Sequence, residues 1–71
     1  MRDYRTVKDA RTELIYCYDT TTNNIEMVEF RFRSFYGKIK KTIDKKTYKW
    51  FLRLPKATEE QILIFNYICN W

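Results

Sequence analysis

Residues 31–56 read RFRSFYGKIKKTIDKKTYKWFLRLPK, and how this stretch folds decides how the rest of the chain is arranged. It holds ten of the fourteen basic residues and a single acid, Asp44. Aromatic residues are interleaved with the charges: Phe32, Phe35, Tyr36, Tyr48, Trp50 and Phe51. The segments on either side carry more acids than bases, so the positive charge is concentrated rather than spread. A surface made for solubility alone intersperses both signs. The excess here points to an anionic target, although lysines on a solvated sheet face also serve simply to guard an edge.

Working outward, residues 25–35 (IEMVEFRFRSF) alternate strictly, with Val28, Phe30 and Phe32 on one side and Glu29, Arg31 and Arg33 on the other. That period of two predicts a strand. Ile25 and Met27 fall on the polar parity, which predicts a bulge or a twist near Met27. Tyr36-Gly37-Lys38 reads as a turn. Residues 38–43 read as an edge strand with Lys41 pointing inward, and residues 47–54 (TYKWFLRL) as a further strand ended by Pro55. In that reading Tyr48, Trp50, Leu52 and Leu54 face the core, and Lys49, Phe51 and Arg53 face out.

Toward the N-terminus, residues 12–18 (TELIYCY) are β-branched and aromatic on both parities, as a strand covered on both sides requires. Asp19 to Asn24 form a turn, since Asp and Asn bond their own backbone and Asn tolerates the left-handed conformation. Residues 1–11 read as an N-terminal arm or a short helix, Tyr4, Val7 and Ala10 recurring every third position. Toward the C-terminus, Thr58-Glu59-Glu60-Gln61 forms a capping box that opens a helix over 59–70. Glu59 and Glu60 complement its dipole. The helix is apolar around most of its circumference, more than one sheet face can cover. Ile64, Tyr67, Ile68 and Trp71 are therefore a candidate dimer or partner surface.

Together these elements predict an α+β fold. It is a single domain over residues 1–71: a four-stranded antiparallel meander over 12–54, with one C-terminal helix over 58–70 packed on the apolar face. The expected core is Leu14, Tyr16, Val28, Phe30, Phe32, Ile39, Trp50, Leu52, Ile62, Phe65 and Ile68. A chain of 71 residues buries a modest fraction of its surface. Its thirteen aromatics help, each able to bury about 150–250 Å².

Chemistry is constrained by what is missing. The chain has no histidine, which removes the commonest general base and zinc ligand at neutral pH. Cys17 and Cys69 are far apart in sequence and sit in apolar company, so free buried thiols are expected rather than a zinc site or a disulfide. Gly37 stands alone and makes no phosphate loop. The carboxylates are scattered. An enzyme, a cofactor and a metal are not expected, and no apolar run approaches the roughly 20 residues of a membrane span. Without a signal peptide the expected location is the cytoplasm. Lys, Ile, Asn and Tyr are abundant while Gly, Ala and Pro are scarce. This AT-rich codon signature, in a short Met-initiated frame, points to a phage or mobile-element gene.

The functional expectation is a non-catalytic, nucleic-acid-binding protein that engages backbone phosphates through the outer sheet face. Arg31, Arg33, Lys38, Lys40, Lys49 and Arg53 would neutralise phosphates, and Phe51 would stack on a base or sugar. The alternative is a phage-type inhibitor that docks on a host protein. There the same cations steer association toward an acidic surface and Tyr36, Trp50 or Trp71 anchors it, the chain acting as a homodimer through the C-terminal helix.

Overall fold

The computed structural model describes residues 1–32 and 34–69. Four strands, β1 (Arg2–Lys8), β2 (Thr12–Asp19), β3 (Asn24–Arg31) and β4 (Ser34–Thr42), form one antiparallel sheet in the order β1-β2-β3-β4. Helices α1 (Lys45–Phe51) and α2 (Glu59–Cys69) follow. This is the predicted class, a small α+β fold with a four-stranded meander and a C-terminal helix. Two of the elements differ from those expected. Residues 2–8, read as an arm or short helix, are β1. Residues 47–54, read as the fourth strand, belong to α1 and the turn after it.

Cross-strand partners share a face of the sheet. Ile15 lies opposite Thr6 and Val28, and Cys17 opposite Tyr4 and Glu26. On this face α2 packs, closing a core of Ile15, Cys17, Val28, Phe65 and Ile68 flanked by Tyr4 and Phe30. The opposite face is covered by α1, whose Phe51 joins Tyr18, Ile25 and Ile43, with Tyr16, Tyr48 and Leu54 around them. The sheet is thus sandwiched between two helices, and β2 is covered on both sides as its doubly apolar pattern predicts.

The two-sided arrangement revises the expected core. Val28, Phe65 and Ile68 are buried as predicted. Leu14, Tyr16, Phe30 and Ile62 are half-buried, and Phe32, Ile39, Trp50 and Leu52 are exposed. Ile15, Cys17, Tyr18, Ile25, Ile43 and Phe51 take the places of the exposed ones. Ile25 and Met27 do lie on the parity of Glu29 and Arg31, but no bulge is needed there. Pairing of β3 with β2 runs unbroken from Asn24 to Arg31, and α1 covers Ile25. The irregularity falls in β4 instead. Glu29 pairs with Gly37 and Phe30 with Phe35, which leaves Tyr36 as the extra residue of a bulge.

Turn chemistry fixes the register. The Asp9 carboxylate accepts the backbone N–H groups of Arg11 and Thr12 at 2.9 and 2.7 Å, closing the β1–β2 hairpin. Between β2 and β3 the Asn23 N–H donates to the Asp19 carbonyl at 2.9 Å, and Asn23 takes the left-handed conformation that the sequence predicts for this turn. The third reversal comes earlier than Tyr36-Gly37-Lys38. Arg31 already pairs with Ser34, and Phe32 adopts φ 53°.

The route after β4 positions everything else. Asp44 caps α1, its carboxylate accepting the Thr47 N–H at 2.8 Å. The helix crosses the sheet to the far edge, where residues 55–57 run along β1. There the Thr6 N–H donates to the Pro55 carbonyl and the Ala57 N–H to the Tyr4 carbonyl, both at 3.0 Å. The chain then rounds that edge and enters α2 through the predicted capping box. The Thr58 N–H donates to Gln61 Oε1 at 2.8 Å, and the Gln61 N–H donates to Thr58 Oγ1 at 3.2 Å. Residues 55–57 therefore shield the outer edge of β1, while β4 forms the opposite edge, as predicted for residues 38–43.

No helix among the described residues is long and apolar enough to cross a membrane.

Candidate functional site

The predicted docking platform required one flat strand face, and the strand that was to supply Lys49, Phe51 and Arg53 is a helix. Its geometry reassigns each residue. Phe51 is fully buried at 0% exposure between α1 and the sheet, so it cannot stack on a ligand. Lys38 and Lys40 pair with Val28 and Glu26, which places both on the α2 side of the sheet. Lys40 Nζ lies 3.7 Å from the Glu26 carboxylate. Arg31 lies on the α1 side. Its Nε donates to Glu29 Oε2 at 2.6 Å, and its guanidinium sits 3.7 Å from the centre of the Tyr36 ring. The Glu29 carboxylate holds that guanidinium even more firmly protonated than usual. Lys49 is exposed on α1 and Arg53 is exposed in the turn after it. Arg33 lies outside the described residues.

The basic stretch nevertheless converges on one side of the molecule. With Tyr48 and Phe51 turned to the sheet, helical spacing turns Lys46 and Lys49 outward, and Lys45 is exposed on the flank of the helix beside Tyr48. Lys41 pairs with Ile25, which puts it on this same side at the edge where α1 begins. Arg53 continues the row beyond the helix end. Trp50 borders it, 43% exposed, with its indole edge-on to the Tyr16 ring at 5.5 Å. That contact fixes the indole in place while leaving much of it in solvent.

Carboxylates on this side are already engaged. Asp3 holds the Arg5 guanidinium at 2.9 Å, Glu29 holds Arg31, and Asp44 caps the helix. Among the described residues, Lys41, Lys45, Lys46, Lys49 and Arg53 have no ion-pair partner. The α2 side has the opposite character. Glu13, Asp19 and Glu26 share that face of the sheet with Arg2, Lys8, Lys38 and Lys40, two of those cations are paired with Glu13 and Glu26, and Glu59 and Glu60 open α2.

The first turn of α1 has two lysines and no acid, although the dipole of a helix favours the reverse arrangement. Lys45 and Lys49 are also like charges one turn apart, which is unfavourable. The sequence thus concentrates cations where they oppose local stability. Strand parity had put Trp50 inside and Phe51 outside; the spacing of Asp44, Tyr48 and Phe51 was the signal for the helix that reverses them.

The second predicted surface is partly assembled. Ile64 and Tyr67 are exposed on α2, Ile68 is buried against the sheet, and Trp71 lies outside the described residues. Beside them is a groove of about 380 Å³ lined by Phe30, Phe35, Leu63, Ile64, Tyr67 and Ile68. Both cysteines are free thiols, Cys17 buried and Cys69 half-buried. Burial pushes the Cys17 thiol up to about 11, and burial also raises Cys69.

No protein-family model, no curated protein and no solved structure matches this chain.

Proposed function

We propose that this chain is a non-catalytic binding protein that docks on the backbone of nucleic acid through the outer side of α1. Lys41, Lys45, Lys46, Lys49 and Arg53 would neutralise phosphates, and Trp50 would stack on an unpaired base at the margin of the row. The observation that carries this reading is the set of five cations on one side of the sheet that no carboxylate of the described residues holds. Lysines are point charges on flexible stems, suited to phosphates in any sequence rather than to a particular base. The contact is therefore sequence-tolerant.

Fluorescence anisotropy with single-stranded and duplex oligonucleotides over a series of salt concentrations tests the proposal. Five phosphate contacts predict a slope of log K against log salt of about −3.5 on single strands and about −4.5 on duplex. Combining Lys45→Glu, Lys46→Glu, Lys49→Glu and Arg53→Glu is expected to abolish binding with the circular-dichroism spectrum unchanged. Equal affinity in that variant, or a slope near zero, would overturn the reading. Capture of an acidic protein by the wild type, without affinity for nucleic acid, would put a host-protein inhibitor in its place.

A further inference from the structure

Helix α1 covers only one half of its side of the sheet. Its buried cluster takes in Tyr18, Ile25 and Ile43 and reaches as far as Tyr16. The same face continues beyond Tyr16. There Met27 lies opposite Ile39, and Glu29 lies between Leu14 and Gly37. Leu14, Met27 and Ile39 belong to neither buried cluster, and Ile39 is 51% exposed. A Cβ added at Gly37 would meet nothing within 4 Å. This half of the face is open.

Two exposed aromatic groups border it. Trp50 stands at the margin of α1, edge-on to Tyr16. At the other end Tyr36, 60% exposed, stacks against the Arg31 guanidinium, which Glu29 holds in place. Strand spacing sets the two groups on the order of 10–15 Å apart. Charge divides along the same line. The cations without an ion-pair partner lie on and beside α1, whereas the open half carries one carboxylate and one cation, Glu29 and Arg31, already joined. A matching occupant offers anions to α1 and flat, uncharged groups to the sheet.

We infer that the open half receives the unpaired bases of the strand whose phosphates the α1 cations hold, so that the ligand is single-stranded nucleic acid rather than duplex. This deepens the phosphate-docking reading and rests on it. One base stacks on the Trp50 indole and another on the Arg31–Tyr36 pair, since aromatic rings and guanidinium planes both accept stacked bases. Lys46 lies one helical turn from Trp50 on the same flank, so phosphate contact and stacking contact adjoin. In a duplex the base faces are buried in the stack and reach such a surface only after costly extrusion. Stacking accepts every base, in keeping with a sequence-tolerant contact.

Anisotropy with an oligothymidylate, an abasic deoxyribose-phosphate strand of the same length and a duplex, all at one salt concentration, tests the inference. The oligothymidylate is expected to bind tightest. Tyr36→Ala is expected to weaken its binding about 5- to 150-fold, the effect of losing one stacked base, and to narrow the ratio between oligothymidylate and abasic strand. The ratio is read within the variant, so a general loss through misfolding cannot imitate it. An abasic strand or a duplex that binds as tightly as the oligothymidylate would overturn the inference and leave phosphate docking standing. So would an undiminished ratio in Tyr36→Ala. Absence of binding to all three probes would overturn both readings and leave the face to an acidic protein.

Discussion

The guanidinium of Arg5 lies 5.8 Å from the centre of the Phe51 ring, so the first strand and the first helix meet through a cation and an aromatic face. Arg5 also donates to both Asp3 carboxylate oxygens and to the Leu54 carbonyl at 3.0 Å. One side chain thereby ties β1, the end of α1 and the following turn together. The contact has a consequence for mutation. Phe51→Ala removes a fully buried ring and is expected to destabilise by about 3–5 kcal/mol. A domain of this size has only about 4–10 kcal/mol in total. Trp50→Ala, at a half-exposed position, is expected to cost about 1 kcal/mol or less beyond its lost edge-on contact with Tyr16. Urea titration of the two variants measures both. A larger loss for Trp50→Ala would mean that residues 47–54 are the strand their alternation suggests.

The lysines of the first turn of α1 set stability against binding. Replacing Lys45 or Lys46 by Glu places a negative charge at the positive end of the helix dipole, and for Lys45 it converts a like-charge neighbour of Lys49 into an attractive one. Each substitution is expected to raise stability by about 0.3–1 kcal/mol at low salt, with the gain shrinking as salt rises. Each is expected to weaken oligonucleotide binding at the same time. Paired urea and anisotropy titrations read the two effects. Variants that gain stability and bind equally well would remove these positions from the interface.

How far the fold could be read from sequence depended on whether a pattern had one physical meaning. The apolar parities of β2, the edge position of residues 38–43 and the capping box of α2 each admit one reading and are where they were expected; the alternation of β3 gave a strand as expected, but the strand ends at Arg31 instead of running on to Phe35. Residues 47–54 satisfied two periods at once. Tyr48 and Trp50 fit a strand, while Tyr48 and Phe51 fit a helix, and only the cap made by Asp44 separates the two. β1 carried no alternation because both its faces are covered. Tyr4 packs edge-on to Phe65 of α2 at 5.7 Å, and Arg5 turns to Phe51 on the other side. The candidate site inherited the same ambiguity. The stretch in which cations concentrate was evident from composition, but the side each one faces followed from an element whose type was misread.

Three aspartates make the turns and the first helix sensitive to acid. Asp9 is held below the ordinary carboxylate range by the backbone N–H groups of Arg11 and Thr12, Asp19 by that of Thr21, and Asp44 by that of Thr47. A carboxyl lowered in the folded state binds fewer protons than the same group in the unfolded chain. Stability from these groups is fully present above the unfolded value of about 3.9 and is lost as pH falls through the lower folded values. The urea midpoint is expected to hold between pH 7 and pH 5 and to drop below pH 4. Asp9→Asn, Asp19→Asn and Asp44→Asn in one chain keep an acceptor at each turn without a titrating charge, and should flatten that drop. An undiminished drop would show that these three carboxylates do not carry the acid sensitivity.

Phe32 combines φ 53° with 75% exposure in the β3–β4 reversal, a backbone conformation that a bulky residue rarely adopts and a position where its ring is largely in water. The strand parity that would have made it a core residue ends at Arg31, because the chain has already turned. Glycine takes this conformation without the clash of a Cβ. Phe32→Gly retains the N–H that donates to the Arg11 carbonyl at 2.9 Å, so the link between the two turns at this end of the sheet survives. Relief of the left-handed strain, about 1–2 kcal/mol, is partly offset by the greater freedom of glycine in the unfolded chain, about 0.5–1 kcal/mol. The balance predicts a gain of between about 0 and about 1.5 kcal/mol, read as a higher urea midpoint with an unchanged slope. Phe32→Ala keeps the Cβ while removing the ring, and is expected to show no such gain. A marked loss of stability in both variants would mean that the ring, despite its exposure, holds the turn in place.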